Sequence, residues 1–184
     1  LSETKFNFFV DDEDILIKNI FGNIQNIKIS DGDVKLNLIN GISLNSVFNT
    51  EININDTILN QYNDFFEKYN FKSKIKLLNG NFSNNVSINL DSTYKLKDYK
   101  YDLSGILKKG RLELPKVLNN NFIKDKIKEI YFQETKINSS FSPKNIKLNS
   151  NGKYSINNLD FLNFNFSNIL DKKFLKLDLN FDLK

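Results

Sequence analysis

The sequence predicts a mainly β protein with two short helices, arranged as an antiparallel β-meander that curls into a groove or forms an open β-sandwich. Three observations predict this class. Apolar and polar residues alternate with a period of two along most of the chain. Asn-Gly and Asp-Gly pairs, which favour two-residue hairpin turns, recur between the alternating runs. Apolar residues take up helical spacing in only two places.

The stretch from Tyr99 to Pro115 carries the recurring pattern most clearly. Its apolar positions alternate with polar ones on both sides of Lys109-Gly110, and they are Tyr99, Tyr101, Leu103, Leu107, Leu112 and Leu114. We interpret this stretch as a strand, a tight turn at Lys109-Gly110 and a second strand that ends at Pro115. The alternation gives this hairpin one apolar face and one polar face.

The chain begins with a predicted strand from Thr4 to Val10, which four adjacent acids at 11–14 interrupt. Carboxylate clusters of this kind can bind Ca²⁺. The cluster lacks the alternating ligands and the central glycine of an EF-hand loop, so we interpret it as a solvated turn.

Short alternating runs predict the following meander. The strands are expected at 23–30, 34–38, 42–44 and 47–54. Asp31-Gly32 and Asn40-Gly41 are the predicted hairpin turns between them.

The alternation resumes after the first helical interruption and continues to the end of the chain. The strands are expected at 74–78, 86–90, 131–139 (with 134–138 at its centre), 146–148, 154–156, 164–166 and 175–183, and we expect about twelve strands in the sheet. Asn79-Gly80 and Asn151-Gly152 are the predicted turns. The alternation changes phase at Lys97-Asp98, which predicts a turn or a bulge there.

The first predicted helix spans residues 57–69, with Asp56 as its N-terminal cap. Its apolar residues follow helical spacing, and they are Ile58, Tyr62, Phe65, Phe66 and Tyr69. We expect this aromatic face to pack on the sheet, and a ligand-stacking role is the alternative.

The second predicted helix lies near 121–131, with apolar residues on one side and lysines on the other. The apolar residues are Phe122, Ile123, Ile127, Ile130 and Tyr131. A helix lying on a membrane surface is the alternative. Its shortness and its lack of Trp favour packing on the sheet.

The composition restricts the function. The net charge of +4 is spread along the chain without the basic stripe of a nucleic-acid-binding protein. No apolar run reaches the roughly 20 residues of a membrane helix. Because the sequence starts at Leu1 and stops within an alternating run, we interpret residues 1–184 as a single β-rich segment of a longer chain.

The residue types also argue against an enzyme. The chain has no His and no Cys, so the usual general base, the thiol nucleophile and the common transition-metal ligands are missing. Glycines stand singly rather than in a phosphate-binding loop. The carboxylates available for glycoside hydrolysis are Asp11, Asp12, Glu13, Asp14, Asp31, Asp33 and Asp102. We expect these to lie at solvated strand ends and turns, and we predict no catalytic residues, metal or cofactor.

The long apolar face is the informative feature. A sheet with one apolar face has to cover it with helices, with a second sheet or with itself. Two helices are few for this number of strands, so we expect either a filled core or a groove. A groove lined by Leu, Ile, Phe and Tyr suits acyl chains, which need apolar contact and few directional bonds.

Two stretches carry a family resemblance: YDLSGILKKGRLELP and IKLNSNGKYSINNLDFLNFNFSN. Each has alternating apolar and polar residues on both sides of a glycine. Over residues 24–184 this pattern resembles the AsmA-like superfamily, in its YhdP and TamB branch of periplasmic lipid-transport proteins. The resemblance lies in the pattern and not in a diagnostic motif.

The resemblance implies a function. Such proteins are anchored in the Gram-negative inner membrane by an N-terminal helix, which this segment lacks, and they extend through the periplasm. Their curled sheet forms a hydrophobic groove that conducts phospholipids toward the outer membrane, in outer membrane biogenesis. The expected partners are therefore a phospholipid or other acyl-chain lipid and, through an anchor outside this segment, the inner membrane.

The alternation alone supplies the candidate groove residues. They are Leu103, Leu107, Leu112, Leu114, Leu175, Leu177, Leu179 and Phe181. The alternative is a structural or adhesive β-sandwich domain of the bacterial cell envelope, with a filled core and functional loops.

Overall fold

The computed structural model describes residues 2–39, 41–59, 74–120, 123–171 and 174–182. These residues form one ten-stranded antiparallel sheet whose strand order follows the chain, and this confirms the predicted meander. The strands are β1 Ser2–Val10, β2 Asp14–Ile24, β3 Ile27–Asn37, β4 Ile42–Asn55, β5 Lys74–Leu90, β6 Leu96–Asn120, β7 Ile123–Phe141, β8 Asn145–Ile156, β9 Leu162–Asp171 and β10 Leu175–Phe181. The sheet is not closed, so β1 and β10 are its edges.

The central strands are much longer than the alternating runs predicted. β6 has 25 residues and β7 has 19 residues. At about 3.3 Å per residue, these strands are roughly 80 Å and 60 Å long. The prediction of about twelve short strands is therefore wrong, because several predicted hairpins are single continuous strands.

Lys109-Gly110 is not a turn, since both residues lie inside β6. Leu107 and Lys109 pair with the consecutive residues Gly80 and Asn79 of β5, so Lys108 is an extra residue. This bulge changes the phase of the alternation just as a turn does. Pro115 also lies within β6 and does not end it.

Of the other predicted Asp-Gly and Asn-Gly turns, three lie inside strands and one lies where the chain reverses. Asp31-Gly32, Asn79-Gly80 and Asn151-Gly152 lie within β3, β5 and β8, so these three turns are wrong. Asp31 and Gly32 together oppose one residue of β4, and Asp31 has a φ of 51°, which identifies a bulge. Gly41, with a φ of +120°, does lie where the chain reverses between β3 and β4. Asn40 lies outside the described residues.

The tight turn between β2 and β3 comes earlier in the chain than the turn predicted at Asp31-Gly32. Gln25 and Asn26 join β2 to β3 and have φ values of 44° and 68°. Two positive φ values in a two-residue loop are the signature of a type I′ turn. The predicted strand at 23–30 is therefore two strand ends and a turn.

Two local predictions are confirmed. The acidic stretch forms a turn, in which the backbone N–H groups of Glu13 and Asp14 donate to Asp11 Oδ1 at 2.9 and 2.6 Å. Lys97 is an extra residue between paired positions of β6 and β5, so the phase change there is a bulge. Among the described residues, no group of three or more side chains could hold a metal ion.

The helix predictions have different outcomes. A short helix α1, Asp56–Leu59, coincides with the start of the predicted helix at 57–69, and residues 60–73 lie outside the described part. The predicted helix at 121–131 is wrong, because residues 123–131 belong to β7. Ile127 and Ile130 pair with β6 on either side of a register irregularity. That irregularity lies on the β6 side, where Glu113 and Leu118 pair with Glu129 and Ile127.

The sheet has one partly covered face and one open face. In β4, alternate residues from Leu44 to Ile54 are buried or half-buried, whereas those between them are exposed. Each strand packs on its sheet neighbours, and α1 packs on β4 and β5. The predicted sandwich is not found, since the described strands form one sheet.

A single layer leaves much of the surface open. The chain exposes 13084 Å², whereas a compact monomer of 21.5 kDa exposes about 9,200 Å². The buried hydrophobic side chains among the described residues are Ile54, Leu59, Phe82, Leu107 and Ile127. No helix of the described part is long and apolar enough to cross a membrane.

Candidate functional site

The candidate groove residues lie on one face of the sheet, which we call the apolar face. Directly opposed residues of neighbouring strands point to the same side. Leu103 opposes Asn84 and Ser139, Leu107 opposes Gly80 and Thr135, and Leu112 opposes Ile75 and Ile130. Leu175, Leu177, Leu179 and Phe181 oppose Leu170, Asn168, Phe166 and Phe164 of β9. Alternation from Leu112 places Leu114 on the same face.

The eight residues form two groups that do not meet. Three strands separate β6 from β10, a distance of about 19 Å at the usual strand spacing. Leu107 in the central group is only 8% exposed, whereas Leu177 in the edge group is 56% exposed. The apolar face is therefore covered at its centre and open at the β10 edge.

An aromatic cluster fills the region between the two groups. Phe164 makes edge-to-face contacts with Phe132 at 5.7 Å and with Tyr154 at 6.3 Å between ring centroids. Tyr154 contacts Phe181 in the same way, and its hydroxyl donates to the Asp182 carbonyl at 2.7 Å. The cluster links β7, β8, β9 and β10. The alternation placed Phe164 in a strand, but only the register shows that it lies against Phe132.

Glycines allow the strands to approach closely on the apolar face. A Cβ on Gly105 would lie 2.1 Å from the Asn81 carbonyl oxygen and 2.8 Å from Phe82 Cα. A Cβ on Gly152 would lie 2.6 Å from Thr135 Cα. Glycine within a strand permits a sharp bend or a close backbone approach. The described strands form no second layer over the sheet, yet Phe82 and Leu107 are buried. We attribute their burial to this close approach of neighbouring strands.

A row of polar side chains crosses the apolar face and was not predicted from the sequence. The row contains Asn84 of β5, Ser139 of β7 and Asn168 of β9, which lie in register with one another. It also contains Leu103 of β6, Leu148 of β8 and Leu177 of β10. Such a row appears only when the strands are aligned, because each polar member is an isolated polar residue in its own strand.

Asn84 is the best-connected member of this row. It is 3% exposed, and its Oδ1 accepts a hydrogen bond from the Tyr101 hydroxyl at 2.8 Å. Its Nδ2 donates to the Phe48 carbonyl and to Thr50 Oγ1, both at 3.2 Å. Burial raises the pKa of the Tyr101 phenol, which keeps it a neutral donor. These bonds fix β4, β5 and β6 relative to one another.

The opposite face carries a partly buried charged cluster. The Arg111 guanidinium donates to Glu129 Oε1 at 2.5 Å and lies 5.6 Å from the Tyr131 ring centroid. The Tyr131 hydroxyl donates to Glu129 Oε2 at 2.7 Å. The hydrogen bond from Arg111, followed by the one from Tyr131, lowers the pKa of Glu129. This cluster links β6 to β7 on the side away from the apolar face.

Three of the carboxylates considered for hydrolysis form contacts at separate places. Asp14 pairs with Lys35 at 2.7 Å, Asp102 pairs with Lys100 at 2.7 Å, and Asp33 Oδ1 accepts the Asn19 backbone N–H at 3.0 Å. Hydrogen bonds from Lys35 and then Asn37 lower the pKa of Asp14. These contacts are those of strand-stabilising side chains.

Comparison with known proteins finds no match. No protein-family model matches the chain, and neither the curated proteins nor the solved structures that were searched give a match.

Proposed function

We propose that this chain is a non-enzymatic segment of a lipid-transfer protein and that its apolar face binds the acyl chains of phospholipids. The observation that carries the proposal is that large apolar side chains at the edges of this face stay exposed, since the described residues lay no second sheet over it. The AsmA-like pattern of the sequence supports the same function.

Each of the two edges of the apolar face is chemically suited to acyl chains. Phe8 and Val10 at the β1 edge are more than half exposed, and so are Leu175, Leu177 and Leu179 at the β10 edge. Contiguous apolar surface on a soluble protein marks a binding site more often than scattered single residues do. An acyl chain covers such a surface without needing hydrogen bonds, and each buried CH₂ contributes about 0.8 kcal/mol.

The cellular setting is part of the proposal. By analogy with the family that the sequence pattern resembles, we place the protein in the periplasm, anchored in the inner membrane by a segment outside residues 1–184. There its sheet would hold phospholipid acyl chains between the inner and outer membranes. A structural or adhesive β-sandwich is the second candidate, and it requires a second layer over the apolar face.

Titration of delipidated protein with a fluorescent phospholipid tests the proposal. We expect Leu177→Glu to weaken binding at least about tenfold, because a carboxylate on the apolar face loses acyl contact and must stay solvated. Leu177 is largely exposed on an edge strand, so the variant should keep the wild-type melting temperature.

Asn180→Glu is the matched control, since it adds the same charge to the opposite face of β10. It should bind like the wild type. Failure of the wild-type protein to bind phospholipid, or equal loss in both variants, would contradict the proposal.

A further inference from the structure

We propose that copies of this chain associate edge to edge, with β10 of one copy pairing antiparallel with β1 of the next. Among the described residues, no strand pairs with the outer side of either of these strands, so both present backbone N–H and C=O groups there. Native edge strands usually block such pairing with proline, a bulge or an inward-pointing charge. β10 has no proline, and its residues on the apolar face are Leu175, Leu177, Leu179 and Phe181.

One register makes the two edges complementary on the apolar face. With Asn7 opposite Asn180, Val10 opposes Leu177, Phe8 opposes Leu179 and Phe6 opposes Phe181. Phe6, Phe8 and Val10 are 55–57% exposed in the single chain, and their proposed partners are 45–56% exposed. Pairing would therefore place these six apolar side chains side by side and cover the flank that each one exposes in the single chain.

The same register makes the other face complementary in charge. Asp11 falls opposite Lys176, and Lys5 falls opposite Asp182. Opposite charges directly across an antiparallel pair are favourable, whereas like charges are unfavourable. Shifting the register by two residues keeps the apolar match but breaks both of these direct pairs, so charge selects the register.

The geometry of the meander permits this contact. β1 and β10 run in opposite directions, since they are the first and tenth strands of an antiparallel sheet. The β1 strand of a second copy beside β10 therefore continues the same alternation of direction. The contact joins two different surfaces, so it repeats head to tail and lengthens the apolar face with each added copy.

Cysteine cross-linking tests the contact, because the chain has no cysteine of its own. We mix the single variants Asn7→Cys and Asn180→Cys under mild oxidation. The proposed register puts these residues directly opposite each other on the exposed polar face, where a disulfide can form. The expected product is the mixed dimer, at several times the yield of either homodimer.

The control pairs Asn180→Cys with Asn45→Cys, an exposed position on the interior strand β4. It should give no mixed product above background. Homodimers alone, or no cross-linking of Asn7→Cys to Asn180→Cys, would overturn the proposal.

Charge reversal tests the register independently. Lys5→Glu and Asp182→Lys should each weaken self-association up to about fivefold in sedimentation velocity. The double variant should restore it. If the double variant associates no better than the single variants, the proposed register is wrong. Phospholipid binding is also titrated at a protein concentration low enough for the monomer to predominate. Lipid binding by the monomer tests the proposed function independently of whether copies associate.

Discussion

Gly105 lies on the apolar face between Phe82 of β5 and Ile137 of β7. Its position explains why glycine recurs in this chain. Five of the seven glycines follow Asp, Asn or Lys, where a turn is the ordinary interpretation, and four of these five predicted turns lie within strands instead. Local chemistry could not distinguish these cases, because bulges and turns both favour glycine.

We expect Gly105→Ala to lower the free energy of unfolding by about 1–3 kcal/mol, because the added methyl group has no room beside Asn81 and Phe82. Ser104→Ala, one residue earlier on the exposed face, should change it by less than about 0.5 kcal/mol. Urea denaturation of the two variants measures the difference. Equal stability of both variants would mean that the strands do not approach closely at Gly105.

At the scale of elements, β6 and β7 illustrate what the sequence could and could not predict. Alternation identified which residues share a face within each short run, and Leu103, Leu107 and Leu112 do share one. The predicted strand lengths were wrong, because a bulge changes the phase of a strand without ending it. The helix predicted at 121–131 was also wrong, because the helix-like spacing of Ile127 and Ile130 occurs within strand β7.

The Arg111–Glu129–Tyr131 cluster stabilises the β6–β7 pair in a pH-dependent way. The folded-state pKa of Glu129 lies below its ordinary value, so its stabilising effect is present above the unfolded pKa of about 4.3. That effect is lost as the pH falls through the folded-state pKa. The pair is partly exposed, which limits its contribution to about 1 kcal/mol or less.

We therefore expect Glu129→Gln to reduce stability by up to about 1 kcal/mol at pH 7, and the difference from wild type to shrink as the pH falls below about 4. Unfolding free energies measured between pH 3 and pH 7 test this. Glu134→Gln is the control, because its ion pair with Lys153 is exposed on both sides and should contribute little. A difference that persists undiminished at pH 3 would rule out the linkage.

The whole molecule is a wide single layer whose two faces differ in chemistry. Ten strands span about 43 Å from edge to edge at the usual spacing. The alternation predicted both the class of fold and the shared face of the candidate residues. It could not predict that β10 would be an open edge, that an aromatic cluster would form around Phe164, or that polar residues of β5, β7 and β9 would align. Those features depend on the register between strands, which single-strand patterns do not contain.

Photolabelling with a phospholipid that carries a diazirine on its acyl chain tests the central claim most directly, since the reactive group inserts into whatever side chain the acyl chain touches. After proteolysis and mass spectrometry, we predict labels on the apolar face near the β10 edge, at Leu177, Leu179 and Phe166. Lys176 and Asp178, on the other face of the same strand, should remain unlabelled. Equal labelling of both faces of β10, or no labelling above that of a protein without an apolar face, would contradict the claim that this face binds acyl chains.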